Sequence, residues 1–350
     1  MAEQNIPTLM IVGGFLGAGK TTLILKAADL LRQRGKRVAV IMNDQDAGLV
    51  DTRLALARNV PVREIADGCF CCRFSAFMAA ANELAGYRPD VILAEPVGSC
   101  VDLSATVMRP LRSMYGDKFR LAPLTVLLDP ATANRFDSDD VDPDVRYLLI
   151  HQLAEADLVC TTKQDLYPEP VALPVPTDFH LSGLTGAGIQ PWLDEMLQTT
   201  RVVGARLLDV DYERYAQAEA ALGWLNLHAR IRLGAERSPA LLCGPLLENL
   251  EQALTSAEIR IAHLKIFDRT ATGWLKASIV QNGAEPTPEG DLLAEPSDEH
   301  ELAINLRAIA DPGVLQQIVS EALAGIDASV EIQHMRAFRP AAPKPEYREV

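Results

Sequence analysis

Gly14-Phe15-Leu16-Gly17-Ala18-Gly19-Lys20-Thr21, directly after the apolar run Thr8-Leu9-Met10-Ile11-Val12, has the spacing of a phosphate-binding loop. A strand that ends in glycines before a helix sets successive backbone N–H groups around phosphate oxygens, and the opening helix turns its positive dipole end to the same charge. Lys20 adds a mobile cation, Thr21 offers a hydroxyl to Mg²⁺, and Gly14, Gly17, Ala18, Gly19 and Thr22 complete the cradle. Residues 22–31 read as an amphipathic helix and 36–42 as the next strand, which is the setting this loop needs. The expected class is α/β: a P-loop NTPase with a mostly parallel, doubly wound sheet.

The chain has 350 residues, 48% hydrophobic and 23% charged, enough for two cores. No run approaches the ~18 apolar residues of a membrane span, and MAEQNIP lacks the basic and apolar regions of a signal peptide, so a cytoplasmic protein is expected. A net charge of -14 is a poor match to nucleic acid or anionic lipid, so neither is expected as a partner.

Short apolar runs alternate with helical patterns up to about residue 200, with strands expected at 8–13, 37–43, 62–66, 90–95, 122–129, 157–162 and 177–181. Residues 201–221 read as a linker helix, and 222–338 as a smaller α+β C-terminal domain with helices on one face of an antiparallel sheet. Residues 282–298 read as a surface loop, and 339–350, rich in proline, as an extended or mobile tail.

Thr162-Lys163-Gln164-Asp165 closes another apolar strand and matches the pattern by which GTPases read guanine. A carboxylate two residues past a lysine can accept from N1–H and the exocyclic amine of guanine, whereas adenine would leave it unpaired. Ser182-Gly183-Leu184-Thr185-Gly186 is a candidate loop behind the base. Glu95 ends the strand before Pro96-Val97-Gly98, where an acid can orient Mg²⁺-bound water and Gly98 can donate its N–H to a γ-phosphate. Asn43, Asp44 and Asp46 reach the same sheet edge, and one of them is expected to sense magnesium or the attacking water.

Gly68-Cys69-Phe70-Cys71-Cys72 precedes a helix, whose N-terminus favours thiolates, and three close sulfurs suit Zn²⁺ and its transition-metal neighbours. Three thiolates leave such a site open, with Asp44 or Asp46 as candidates to complete it; redox-sensing thiols are the rival reading. Cys100, Cys160 and Cys243 read as packing cysteines. His228, His263, His300 and His334 fall on expected strands of the second domain, where some could converge.

In order, GGFLGAGKTT at 13–22, Asn43-Asp44, GCFCC at 68–72, EPVG at 95–98, TKQD at 162–165 and SGLTGAG at 182–188 resemble the CobW-like metallochaperone GTPases, relatives of UreG and HypB. The resemblance implies GTP hydrolysis coupled to delivery of zinc or cobalt to a client protein; with no residue identifiable as an arginine finger, turnover is expected to be slow without a partner. It implies Cys69, Cys71 and Cys72 as transition-metal ligands, with Asp44 an option, and Lys20 and Thr21 on phosphate and Mg²⁺. It further implies Glu95 at the magnesium and γ-phosphate region, Lys163 and Asp165 on guanine, and leaves homodimerisation open. This chain departs from the family in reading Asn43-Asp44-Gln45-Asp46 where Asn-Glu and then Phe-Gly are common, and in lacking a histidine-rich loop. EPVGSCVDL at 95–103 resembles a divergent branch, some of whose members look associated with corrinoid proteins. A GTP-switched regulatory module with redox-sensitive thiols is the alternative function.

Overall fold

The computed structural model describes residues 6–46, 50–134, 142–167, 173, 175–198 and 200–349. The acidic run 137–140 and most of the proline-rich stretch 167–176 lie outside the described residues. The chain divides into two compact units, and the division departs from the sequence expectation. One unit takes Met1–Gln45, Asn59–Ala218 and Ala342–Val350; the other takes Asp46–Arg58 and Glu219–Ala341.

In the first unit the strands are β1 (Thr8–Gly14), β2 (Val38–Asn43), β3 (Val62–Ile65), β4 (Val91–Glu95), β5 (Arg120–Leu121), β6 (Thr125–Leu128), β7 (Leu158–Thr161) and β8 (Phe179–His180). They pair in parallel in the order β3-β2-β4-β1-β6-β7-β8, with β5 also alongside β1. Every residue of β1, β2, β4, β6 and β7 is buried, which is why these strands read as unbroken apolar runs rather than alternating ones. The covering helices are α1 (Lys20–Gln33), α3 (Phe74–Leu84), α4 (Arg109–Tyr115), α5 (Pro130–Asn134), α6 (Pro143–Glu155), α7 (Ile189–Gln198) and α8 (Tyr212–Ala220); α2 (Val50–Ala57) belongs to the other unit. A π-helical turn, Ser104–Met108, runs into α4. Because all pairings are parallel, every strand delivers its C-terminal loop to one edge, and the order reverses direction beside β1, where such folds hold ligands.

The tail is not free. Arg348 Nε lies 2.7 Å from Asp102 Oδ2, the Glu349 N–H donates to the Ala105 carbonyl at 2.9 Å, and Tyr347 meets the Phe74 ring edge-on at 5.3 Å. The tail is extended, as its prolines require, and it is tied down by an ion pair to a buried acid.

The second unit is a six-stranded antiparallel sheet of β9 (Gly223–Arg237), β10 (Arg260–Arg269), β11 (Trp274–Ile279), β12 (Thr287–Gly290), β13 (Ser297–Ile309) and β14 (Ala328–Phe338), ordered β12-β11-β10-β13-β9-β14. The stretch 282–298 is thus not all loop: β12 pairs there with β11. Leu264, Ile266, Ile304, Leu306, Leu225 and Leu227 share one core with residues of α9 (Pro239–Ser256) and α10 (Pro312–Ala324). The residues between them in the strands, Lys265, Asn305 and Asn226, face the other way by the strand's twofold alternation.

That polar face takes α2, so helices cover both faces rather than one. Asn305 Oδ1 accepts from the Val50 N–H at 2.9 Å, and Lys265 Nζ reaches both carboxylate oxygens of Asp51 at 2.6 Å. Both members of that ion pair are buried. Asp51→Ala should therefore destabilise the chain by on the order of 3 kcal/mol, because it strands a buried ammonium, while Asp51→Ala with Lys265→Met should recover most of the loss. Urea titrations of the three chains check this; equal stability of the single and double variants would refute it.

Candidate functional site

The phosphate loop is closed on itself. The Lys20 ammonium donates to the carbonyls of Gly14 at 2.9 Å and Phe15 at 3.2 Å, and the Ala18 N–H donates to the Phe15 carbonyl at 3.1 Å. Gly17 and Gly19 hold φ of 77° and 88°, a left-handed backbone that turns the N–H groups inward at little cost only for glycine. Gly14 is constrained further: at φ 133°, a Cβ there would stand 2.7 Å from the Leu127 carbonyl of β6. The Thr21 hydroxyl donates to Glu95 Oε1 at 3.0 Å, and both residues are buried. Gly98 fits against the loop so closely that a Cβ would come within 3.1 Å of Lys20 Nζ.

The second motif assembles at the same edge. The Gln164 N–H donates to the Leu181 carbonyl at 3.1 Å, joining the loops after β7 and β8, and the Ser182 hydroxyl donates to the Asp165 carboxylate. Thr162 is buried and its N–H bonds the Leu128 carbonyl at 3.1 Å. Gly183 abuts the first turn of α1, where a Cβ would lie 2.9 Å from the Leu23 nitrogen and 3.1 Å from Thr22. The motifs missed Asp129: it directly follows β6, is buried, and lies 2.6 Å from the Lys163 ammonium, which it holds in place. The only signal for it in the sequence is an acid after an apolar run.

The three motif cysteines come together. Cys69 Sγ lies 2.7 Å from Cys71 Sγ and 3.3 Å from Cys72 Sγ, and the last two are 3.6 Å apart. A tetrahedral site with Zn–S bonds of ~2.3 Å has sulfurs about 3.8 Å apart, so the cluster would open by roughly 1 Å or less to hold the ion. Gly68, at φ 143°, starts the turn; its carbonyl accepts from Asn43 Nδ2 at 2.7 Å, and the buried Phe70 packs on Phe77 with ring centroids 4.7 Å apart. The tail closes over the turn, with the Lys344 N–H 3.1 Å from Cys72 Sγ and the Glu346 N–H on the Cys71 carbonyl at 3.0 Å.

Hydrogen bonds from Cys100, Cys71 and Cys72 pull the Cys69 thiol well below its usual range. The same sharing pushes Cys71 up and raises Cys72 to about 12, each through its bond to Cys69 first. Within the cluster, Cys69 is therefore the thiol most readily ionised, with its neighbours as donors. Cys100, expected as a packing residue, is buried at 1% exposure.

The acids expected to complete the metal set stand elsewhere. Among the described residues, the metal-binding groups within 4.8 Å of one another are Cys69, Cys71 and Cys72 alone. Asp44 sits at the end of β2 with its N–H on the Ile65 carbonyl and its carboxylate on the Gln45 N–H at 2.6 Å. Asp46 belongs to the second unit, where it contacts Asn226, His334 at 2.9 Å and Arg336 at 3.1 Å. His228 and His334 do face each other across β9 and β14. Burial and then the Arg53 charge push His228 down to about 4, while His300 bonds Asp268 at 2.7 Å.

Phosphate loop, acid, glycine hinge and base loop on one edge of a parallel sheet define a P-loop nucleotide-binding domain. Residues 8–175 match the family model described as CobW/HypB/UreG, nucleotide-binding domain, and that stretch is a domain of this family. The chain is 30% identical over 198 residues to "Zinc chaperone CobW" of Pseudomonas aeruginosa, covering 47% of this chain and 52% of that one. It is 30% identical over 165 residues to "Zinc chaperone YeiR" of Escherichia coli, covering 44% and 46%. The chain thus spans about half the length of these relatives. Among solved structures, HypB from Helicobacter pylori in complex with nickel is 18% identical at a TM-score of 0.38, covering 57% of this chain and 93% of that one. Among the described residues no helix is long and apolar enough to cross a membrane.

Behind the site, Asp102, 1% exposed, takes Arg348 and the Tyr212 hydroxyl, and the neighbouring Glu155 accepts from the Ser104 N–H at 3.0 Å. Burial first, with the Asp102 charge adding to it, pushes Glu155 up to about 8. The folded chain therefore keeps this proton while the unfolded chain loses it above its ordinary value near 4.5, so stability falls between pH 4.5 and 8. Glu155→Gln, which keeps the acceptor and cannot ionise, should match the parent below that window and exceed it progressively through it, by up to about 4 kcal/mol. Thermal melts from pH 4 to 9 check the sign; a constant offset would contradict it.

Proposed function

We propose that the chain binds and hydrolyses GTP and couples that reaction to the capture and delivery of a divalent transition metal, zinc or cobalt, to a client protein. The observation that carries this reading is the convergence of three sulfurs, 2.7 to 3.6 Å apart, on a turn that Asn43 ties to the same sheet edge as the phosphate loop. The names of the relatives, zinc chaperones, favour zinc as the cargo.

Asp165 is oriented by Ser182, and Lys163 by Asp129, so a carboxylate and an alkyl stem are set for a guanine edge and face before the base arrives. Lys20 would exchange its loop carbonyls for phosphate oxygens, and the glycine N–H groups would take the remainder. Thr21 and Glu95 are the hard oxygen donors that suit Mg²⁺, which supplies charge neutralisation at the phosphates when bound. Gly98, pressed against Lys20, is placed to register the γ-phosphate and its loss on transfer to water. If the triphosphate favours the converged thiols, reciprocity requires bound metal to tighten the triphosphate equally.

Zinc and cobalt affinities of the anaerobically reduced chain, with Mg²⁺ and either GTPγS or GDP, test this. Roughly tenfold tighter metal binding with GTPγS is expected, with a matching gain in GTPγS affinity on adding metal. Cys72→Ser should keep its affinity for GTPγS and lose the coupling. Metal binding that ignores the nucleotide, or none, would replace this reading with a GTP-switched module whose thiols respond to oxidation.

A further inference from the structure

Residues 343–349 bond to the thiol turn at one end and to the segment that follows Gly98 at the other. Pro343 and Pro345 fix their own φ and carry no N–H, so the first backbone donors this stretch can offer are those of Lys344 and Glu346. Both go to the turn: the Lys344 N–H to Cys72 Sγ at 3.1 Å and the Glu346 N–H to the Cys71 carbonyl at 3.0 Å. The Glu346 carboxylate accepts from the Ser75 N–H at 2.9 Å and from the Ser75 hydroxyl, and Tyr347 meets Phe74, the first residue of α3, edge-on. Further along, Arg348 Nε lies 2.7 Å from Asp102 Oδ2, and the Glu349 N–H donates to the Ala105 carbonyl at 2.9 Å.

Asp102 is 1% exposed, has a left-handed φ of 66°, and shares its Oδ2 between Arg348 and the Tyr212 hydroxyl. A non-glycine residue in that conformation is held there by its surroundings, and a carboxylate so buried needs its cation. It closes a loop that the Gln152 amide braces at the carbonyls of Gly98, 2.9 Å, and Cys100, 3.0 Å. At the other end of that loop a Cβ on Gly98 would come within 3.1 Å of Lys20 Nζ. Resting on the metal-carrier reading above, we propose that residues 343–349 are a strap that gates exchange of the metal ion: docked, it covers Cys72 and shields the ion from competing ligands, and released, it opens the thiol turn for hand-off. The Lys344 N–H, bonded to Cys72 Sγ, supports that sulfur as a thiolate ligand while the strap is down. The prolines restrict the released chain, so docking costs less conformational entropy than for a freer sequence. A displacement of Gly98 on loss of the γ-phosphate reaches Arg348 through Asp102. The nucleotide then biases the docked state, and by reciprocity the docked strap biases the nucleotide.

Stopped-flow transfer of zinc from the reduced, zinc-loaded chain to a chromogenic chelator, in GDP and in GTPγS, tests the strap, with iodoacetamide labelling of Cys72 in the metal-free chain beside it. Arg348→Ala frees one end, and Glu346→Ala with Tyr347→Ala frees the other without touching Asp102. Both variants are expected to release zinc roughly tenfold or more faster than the parent and to label Cys72 faster by a similar factor. The parent should release zinc more slowly in GTPγS than in GDP, and the variants should lose that difference. Melting temperatures establish that the variants fold; if Arg348→Ala does not, because Asp102 is left buried and unpaired, the second variant decides. Faster release in Arg348→Ala alone would assign the effect to the stranded carboxylate and overturn the strap. Equal release from the parent and both variants would overturn it too and leave the carrier standing, whereas a nucleotide difference that survives in the variants would overturn the link through Asp102. A parent that binds no zinc would overturn the carrier and the gate together.

Discussion

Parallel pairing of β1 with β4 on one side and β6 on the other is the constraint on which the candidate site depends. A strand of opposite direction would send its loop to the far edge, and the phosphate loop, Glu95 and the base loop would never meet. Burial of these strands on both faces secures their ladders from water, so the loops stand on a platform that resists local opening. The tightest expression of this is Gly14, where the neighbouring Leu127 carbonyl leaves no room for a side chain just as the chain turns into the cradle.

The thiol turn is held from three directions, each with a different chemistry. Asn43 takes the Gly68 carbonyl, Phe70 sinks a ring against Phe77, and the tail lays its own N–H groups on Cys71 and Cys72. Sulfurs fixed this way lose little conformational entropy when an ion arrives, which favours binding without added contacts. Hydrogen bonding among them favours ionisation at Cys69 over its neighbours.

In the second unit, a sheet with one apolar and one polar face accommodates a segment borrowed from the middle of the first. Residues 46–58 leave after β2 and return before β3, and the chain's own Asp46 and Asp51 meet His334, Arg336 and Lys265 there. Proximity in sequence to β2 gave no sign that Asp46 and Asp51 have partners supplied by residues about two hundred or more positions later. The unpredicted strand β12 has a similar origin, since Thr287-Pro288-Glu289-Gly290 has poor strand propensity and is held by its partner β11.

The phosphate loop, the guanine-type motif, the cysteine run and the unbroken apolar strands are local patterns, set by spacing along a few residues, and the sequence by itself determined them together with the doubly wound class of the first unit. What only the tertiary structure decided are contacts between residues far apart in the chain: Asp129 under Lys163, Arg348 on Asp102 across 246 positions, and the tail over Cys72. A local pattern reports backbone geometry and the face a residue will turn inward. Which buried acid meets which cation, and which segment closes over the thiols, follows from how the elements pack, and no periodicity in a single segment carries that information.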